Sequence, residues 1–153
     1  MRITWGAAIL ALAVAAGAYT VSMAPVAAQG AALTQDKFPM AMKTVQATAG
    51  SLRTKIMMNQ LPDAAKDAQT LAATFSDVEK FFASKNKTDA VGWAQAASKG
   101  FTAVAAAATA GDAMKAQMEL GTTQANCKSC HAQYREQVPG SQPPTFQFKA
   151  GSI

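Results

Sequence analysis

Histidine and cysteine are almost missing: the 153-residue chain has one histidine and two cysteines. A structural zinc site needs four protein ligands, usually two separated Cys/His pairs, and this inventory supplies no second pair. Strand-forming runs are lacking too, and with them the β-α-β setting expected around a thioredoxin-like C-x-x-C. Glycine (10) and proline (6) are few and β-branched residues sparse, while Ala, Met, Gln, Lys and Leu, which keep most of their freedom in a helix, dominate. An all-α protein is therefore expected, and the length suits one domain. No internal repeat is evident. A concentrated basic stripe is also absent, which argues against a nucleic-acid binder and for an ordinary solvated surface.

Residues Met1 to Ala28 carry one early cation, Arg2, an apolar run from about Trp5 to Val21, and small residues at Val26 and Ala28. This pattern predicts a secretory signal peptide cleaved between Ala28 and Gln29. The alternative is an uncleaved anchor, since the run approaches the roughly 20 residues that span a bilayer. Pro25 and the Ala/Gly-rich composition favour processing, leaving no stable membrane insertion. Without Arg2, 13 Lys+Arg face 9 Asp+Glu, a formal charge of +4.

Four helical segments with short joints are predicted between residues 29 and 137. The first starts near a Thr34 cap and runs to about Met58, with Phe38, Met42, Val45, Ala49, Leu52 and Ile56 spaced alternately four and three apart, the a/d seam of a shallow-angle bundle. A joint over 59–63, with Pro62 in a first turn, leads to a second helix ending near Lys85 and striped by Ala64, Ala68, Leu71, Phe75, Val78 and Phe82. Thr88 or Asp89 can cap the third helix, whose apolar side carries Trp93, Ala97, Phe101, Val104 and Ala108. Gly111 stops it, and Asp112 starts a fourth helix running to about Gln137. Residues 138–153, with Pro139, Gly140, Pro143 and Pro144, are predicted to form an extended or partly disordered tail. Helices of similar length with short joints favour an antiparallel up-down-up-down bundle.

The chemistry-bearing residues fall in one stretch, Cys127-Lys128-Ser129-Cys130-His131, the C-x-x-C-H pattern of covalent haem attachment. On a helix, spacings of three and four bring both sulfurs and the imidazole to one face. Two thiols can form thioethers with the vinyl groups of a haem, and the imidazole can ligate its iron. An expected export signal strengthens this reading over two core cysteines that lie near a histidine by chance, because covalent haem attachment in bacteria belongs to the periplasmic side.

The longer run Cys127-Lys128-Ser129-Cys130-His131-Ala132-Gln133-Tyr134-Arg135 resembles the C-K-x-C-H-x-x-Y-R that ends the last helix of class II c-type cytochromes, which include cytochrome c′ and cytochrome c556. Gly111-Asp112 lies where that family often begins the helix. The resemblance spans about residues 33–137 and is specific in the last helix. It implies one covalently attached haem c near the C-terminus of a four-helix bundle, with thioethers at Cys127 and Cys130 and His131 as proximal ligand. Arg135 would contact a propionate or favour the helix C-terminal dipole. Family members with a methionine on the first helix are six-coordinate electron carriers, whereas cytochrome c′ keeps an apolar distal residue and binds NO and CO.

Counting back from Pro62-Asp63, which resembles the family's joint, lands on Met42, and the a/d seam agrees. Met40 falls on roughly the opposite side of the helix. Plain core filling is the competing role for Met42. The resulting expectation is a periplasmic monohaem electron carrier with redox partner proteins and no substrate chemistry, homodimeric by family habit. A gas-binding cytochrome c′ and a haem-free helical envelope protein are the alternatives.

Overall fold

The computed structural model of the protein describes residues 32–153, so the expected signal peptide, its cleavage after Ala28 and the anchor alternative lie outside the described residues. Helices α1 (Phe38–Met57), α2 (Leu61–Ser84), α3 (Thr88–Thr109) and α4 (Ala113–Tyr134) pack against one another and are followed by strands β1 (Arg135–Gln137) and β2 (Phe146–Phe148). Among the described residues no helix is long and apolar enough to cross a membrane.

Contacts between residues far apart in sequence fix the directions of the helices. Phe38 at the start of α1 meets Phe81 and Phe82 at the end of α2, with ring centroids 4.8 and 5.6 Å apart. Gln95 early in α3 donates to Glu79 late in α2 (2.8 Å), and Tyr134 at the end of α4 donates to Asp89 at the start of α3 (2.7 Å). Neighbouring helices in the chain are therefore antiparallel. The α2–α3 interface is the most extensive, and of the helices that lie side by side α1 and α4 touch least. Leu52, Leu71, Phe82, Phe101 and Val104 are the largest of the fully buried side chains.

All three joints use the same device. After α1, Asn59 adopts φ 58° while its N–H donates to Ile56 and that of Gln60 to Lys55. Asn86 (φ 56°) and Gly111 (φ 79°) repeat the arrangement after α2 and α3. A left-handed residue just past each helix end lets two N–H groups turn back onto orphan carbonyls, and Asn and Gly tolerate that conformation best. The Asp112 carboxylate then caps α4 by accepting the Lys115 N–H (2.9 Å), as expected. Thr34 is not the cap of α1. Its carbonyl accepts from Lys37 and Phe38 in a preceding turn, and the helix begins at Phe38 with Pro39 in its first turn.

A close approach of α3 and α4 depends on Gly100. A Cβ there would collide with the Thr123 hydroxyl and lie 3.0 Å from Thr123 Cβ and Cγ2. Thr123 has little room to yield, being 2% exposed with its hydroxyl donating to Glu119 (2.7 Å). By propensity alone Gly100→Ala should stabilise the helix by up to about 1 kcal/mol. The overlap costs about 1–3 kcal/mol, so a lowered thermal midpoint is expected, partly restored by adding Thr123→Ala.

The segment after α4 differs from expectation. α4 ends at Tyr134 rather than near Gln137, and residues 135–148 form an antiparallel hairpin with Arg135 opposite Phe148, Glu136 opposite Gln147 and Gln137 opposite Phe146. Pro139, Gly140 (φ 73°), Pro143 and Pro144 break helix, as predicted, but they also shape the connection between two strands. Three-residue strands are too short to announce themselves by alternation. Phe148 then anchors the hairpin against Phe38, Phe81 and Phe82, with centroid distances of 4.7, 5.8 and 6.1 Å.

Candidate functional site

On α4 the inward positions are Ala116, Leu120, Thr123, Cys127, Cys130 and Tyr134, spaced four, three, four, three and four apart. This is an a/d seam, and both cysteines lie on it. Ala116, Leu120, Thr123 and Tyr134 are buried, at 0, 3, 2 and 5% exposed, yet the cysteines between them are only half-buried against the core. On α1, Phe38, Leu52 and Ile56 are buried, whereas Met42, Val45 and Ala49 between them are half-buried. Each seam therefore loosens over a stretch of its length.

Those two stretches lie at the same level. Arg53, Ile56 and Met57 of α1 face Gln117, Leu120 and Gly121 of α4 across a cleft of about 300 Å³. Eleven residues back from Arg53 is Met42, and eleven forward from Leu120 is His131; antiparallel helices with equal rise bring these two turns level. Aromatic contacts at that end agree, since Phe38 meets Phe82 and Phe82 meets Tyr134 at 5.2 Å. Met40 points elsewhere and is 66% exposed. Neither that cleft nor a groove of about 590 Å³ along α2 and α3, lined by Gln69, Ala72, Thr102, Ala105, Ala106, Thr109 and Ala110, is lined by Cys127, Cys130 or His131.

The electrostatics separate the two chemistries open to a C-x-x-C. Burial pushes the Cys127 thiol up, and burial with the neighbouring Cys127 and the Asp89 charge pushes Cys130 up to about 11. Reactive dithiols instead sit at helix N-termini or beside cations that lower the pKa. Here both occupy the last two turns of α4, at the negative end of its dipole, and both are free thiols. The pair suits covalent attachment in the protonated form and is poorly set up for thiolate exchange. Burial, and secondarily the Arg135 cation, hold His131 below the ordinary histidine value, which keeps a neutral nitrogen lone pair at neutral pH.

Arg135 belongs to the hairpin as much as to the helix. Its backbone N–H donates to the His131 carbonyl, and its guanidinium lies 4.1 Å from the centroid of Phe146. The Asp89–Tyr134 hydrogen bond has no local signature, because 45 residues separate the partners; neither Thr88 nor Asp89 caps α3, which begins after Lys87 without a side-chain cap. This bond, first among several causes, holds Asp89 below the usual carboxylate range, while burial and then the same bond push Tyr134 up to about 12. A depressed acid contributes stability that is lost as pH falls through its folded value. A raised phenol contributes stability present below its unfolded value of about 10 and lost as pH climbs toward the folded one. Tyr134→Phe should cost about 1 kcal/mol at neutral pH and flatten both flanks of the stability-versus-pH curve, read by urea unfolding.

Among the described residues no group of three or more His, Cys, Asp or Glu side chains is arranged to hold a metal ion. No family model, curated protein or solved structure matches the chain.

Proposed function

We propose that this chain is a periplasmic monohaem c-type cytochrome of the class II, c556-like kind, carrying single electrons between partner proteins. The observation that carries the reading is the α4 seam: two inward, half-buried cysteines precede the one histidine of the chain, level with a half-buried methionine turn on α1. This donor set fits a haem. Cys127 and Cys130 offer protonated thiols three residues apart for two thioether bonds, and His131 offers a neutral imidazole on the same turn. Met42 offers a thioether from the opposing helix. The loosened α1–α4 seam is where a flat group would lie.

Haem supplies the one-electron Fe(III)/Fe(II) couple. A methionine thioether and an apolar surround both favour the reduced form, so the potential should exceed that of a comparable bis-histidine site. Arg135 and Lys128 are exposed beside the site, where a propionate could be met.

The test is expression of the full chain in a host that attaches haem c, followed by haem staining of a denaturing gel. Colour that stays with the polypeptide supports the reading. A colourless band from a well-folded periplasmic product would replace it with the haem-free envelope protein.

A further inference from the structure

α1 and α4 make few direct contacts, yet the ends that carry Met42 and His131 are joined through the C-terminal hairpin. Phe148 packs on Phe38, one turn before Met42, and on Phe81 and Phe82 of α2. The next residue grips α4. The Lys149 N–H donates to the Tyr134 carbonyl (2.9 Å), and its ammonium donates to the carbonyl of Ala132 (2.6 Å), which follows His131. Adjacent residues of one strand end thus hold α1 with one side chain and α4 with the other.

We propose that Phe148 and Lys149 are positioning residues that hold the Met42 turn of α1 against the His131 turn of α4, and so set how firmly the sixth ligand is kept. The inference rests on the His131/Met42 ligation proposed above. A methionine on the first turns of a helix that its partner barely touches leaves whenever those turns fray. The fraction of time it is away sets the apparent affinity for an external ligand, since only the open form can bind one. A clamp on Phe38 lowers that fraction.

The test uses the full-length, haem-loaded protein, with carbon monoxide as the external probe. Phe148→Ala should add a high-spin component to the oxidised spectrum and speed carbon monoxide binding about tenfold, as expected if the open population rises tenfold. Phe148→Leu should return both toward wild type, and Lys149→Met should shift both in the same direction by less. Amide exchange should quicken over residues 38–45 and stay unchanged in α2 and α3, which a general loss of stability would not produce. If Phe148→Ala does not fold, Lys149→Met with the exchange measurement decides. A low-spin Phe148→Ala or Lys149→Met protein with wild-type carbon monoxide kinetics overturns the clamp and leaves the ligation standing. A high-spin wild type overturns the ligation itself, and the clamp with it.

Discussion

Met42→Ala should turn a low-spin protein that is inert to carbon monoxide into a high-spin one that binds it readily. If His131 and Met42 both ligate a bound haem as proposed, wild type should show a weak far-red sulfur-to-iron band and little uptake of the gas. Removing the thioether opens the position. The stability change should be modest by comparison: full burial of a methionine would cost about 2–5 kcal/mol on truncation, and Met42 is only half-buried. Met42→Leu separates packing from ligation, because it keeps the volume at a cost of about 1.5 kcal/mol or less and still lacks the sulfur. Both variants should therefore show the same spectrum with different thermal midpoints. A low-spin spectrum surviving in both moves the ligand to another methionine, with Met40 disfavoured by its exposure. A wild type already high-spin and reactive toward carbon monoxide replaces the electron carrier with the gas-binding reading.

Cys127→Ser or Cys130→Ser should leave poorly retained haem and a bundle that fails to order over much of its length. The weak place is visible in the packing. α2 and α3 interlock through Ala-rich faces and Phe75 stacked on Phe101 at 5.5 Å, whereas Met42, Val45, Ala49, Cys127 and Cys130 stay half-exposed where α1 and α4 should close. Alanine-rich helices cannot fill the space that a lost haem would leave, and each 100 Å³ left empty costs about 2 kcal/mol. Circular dichroism should show reduced helicity, with the α2–α3 pair the most resistant part. A haem-free variant with native helicity and a full cooperative transition would sink this expectation.

Much of the bundle could be read from residue spacing. The stripe on α2 from Ala64 through Phe82 is buried throughout, and Asp112 caps α4 because an acceptor followed by a helical run has few other uses. Asn59 and Asn86 carried a signal that was available, since Asn just past a periodic run tolerates the left-handed turn almost as glycine does. What could not be read depends on contacts between distant residues. The Asp89–Tyr134 bond and the contact of Gly100 with Thr123 leave no trace in local pattern. The hairpin is hidden from local pattern for another reason: helix breakers announce that a helix ends, and the fate of a short strand depends on an aromatic cluster assembled from α1 and α2.

That cluster also orders events in time. Phe38 and Phe148 are 110 positions apart in the chain, so their contact closes a loop that takes in all four helices. Loop-closure entropy and contact order place such contacts after local pairings, and the α2–α3 helical pair is as local as any the chain has. Until residues 146–149 are in place, the ends of α1 and α4 lack the bridge that Phe148 and Lys149 make between them. As long as β2 is unpaired, Phe148 does not cover that end, and the haem proposed above could enter beside Cys127 and Cys130 in that interval. Pulse-labelled amide exchange during refolding should find α2 and α3 protected first and residues 38–45 last, in step with 146–149; protection of 38–45 ahead of the hairpin would reverse that order.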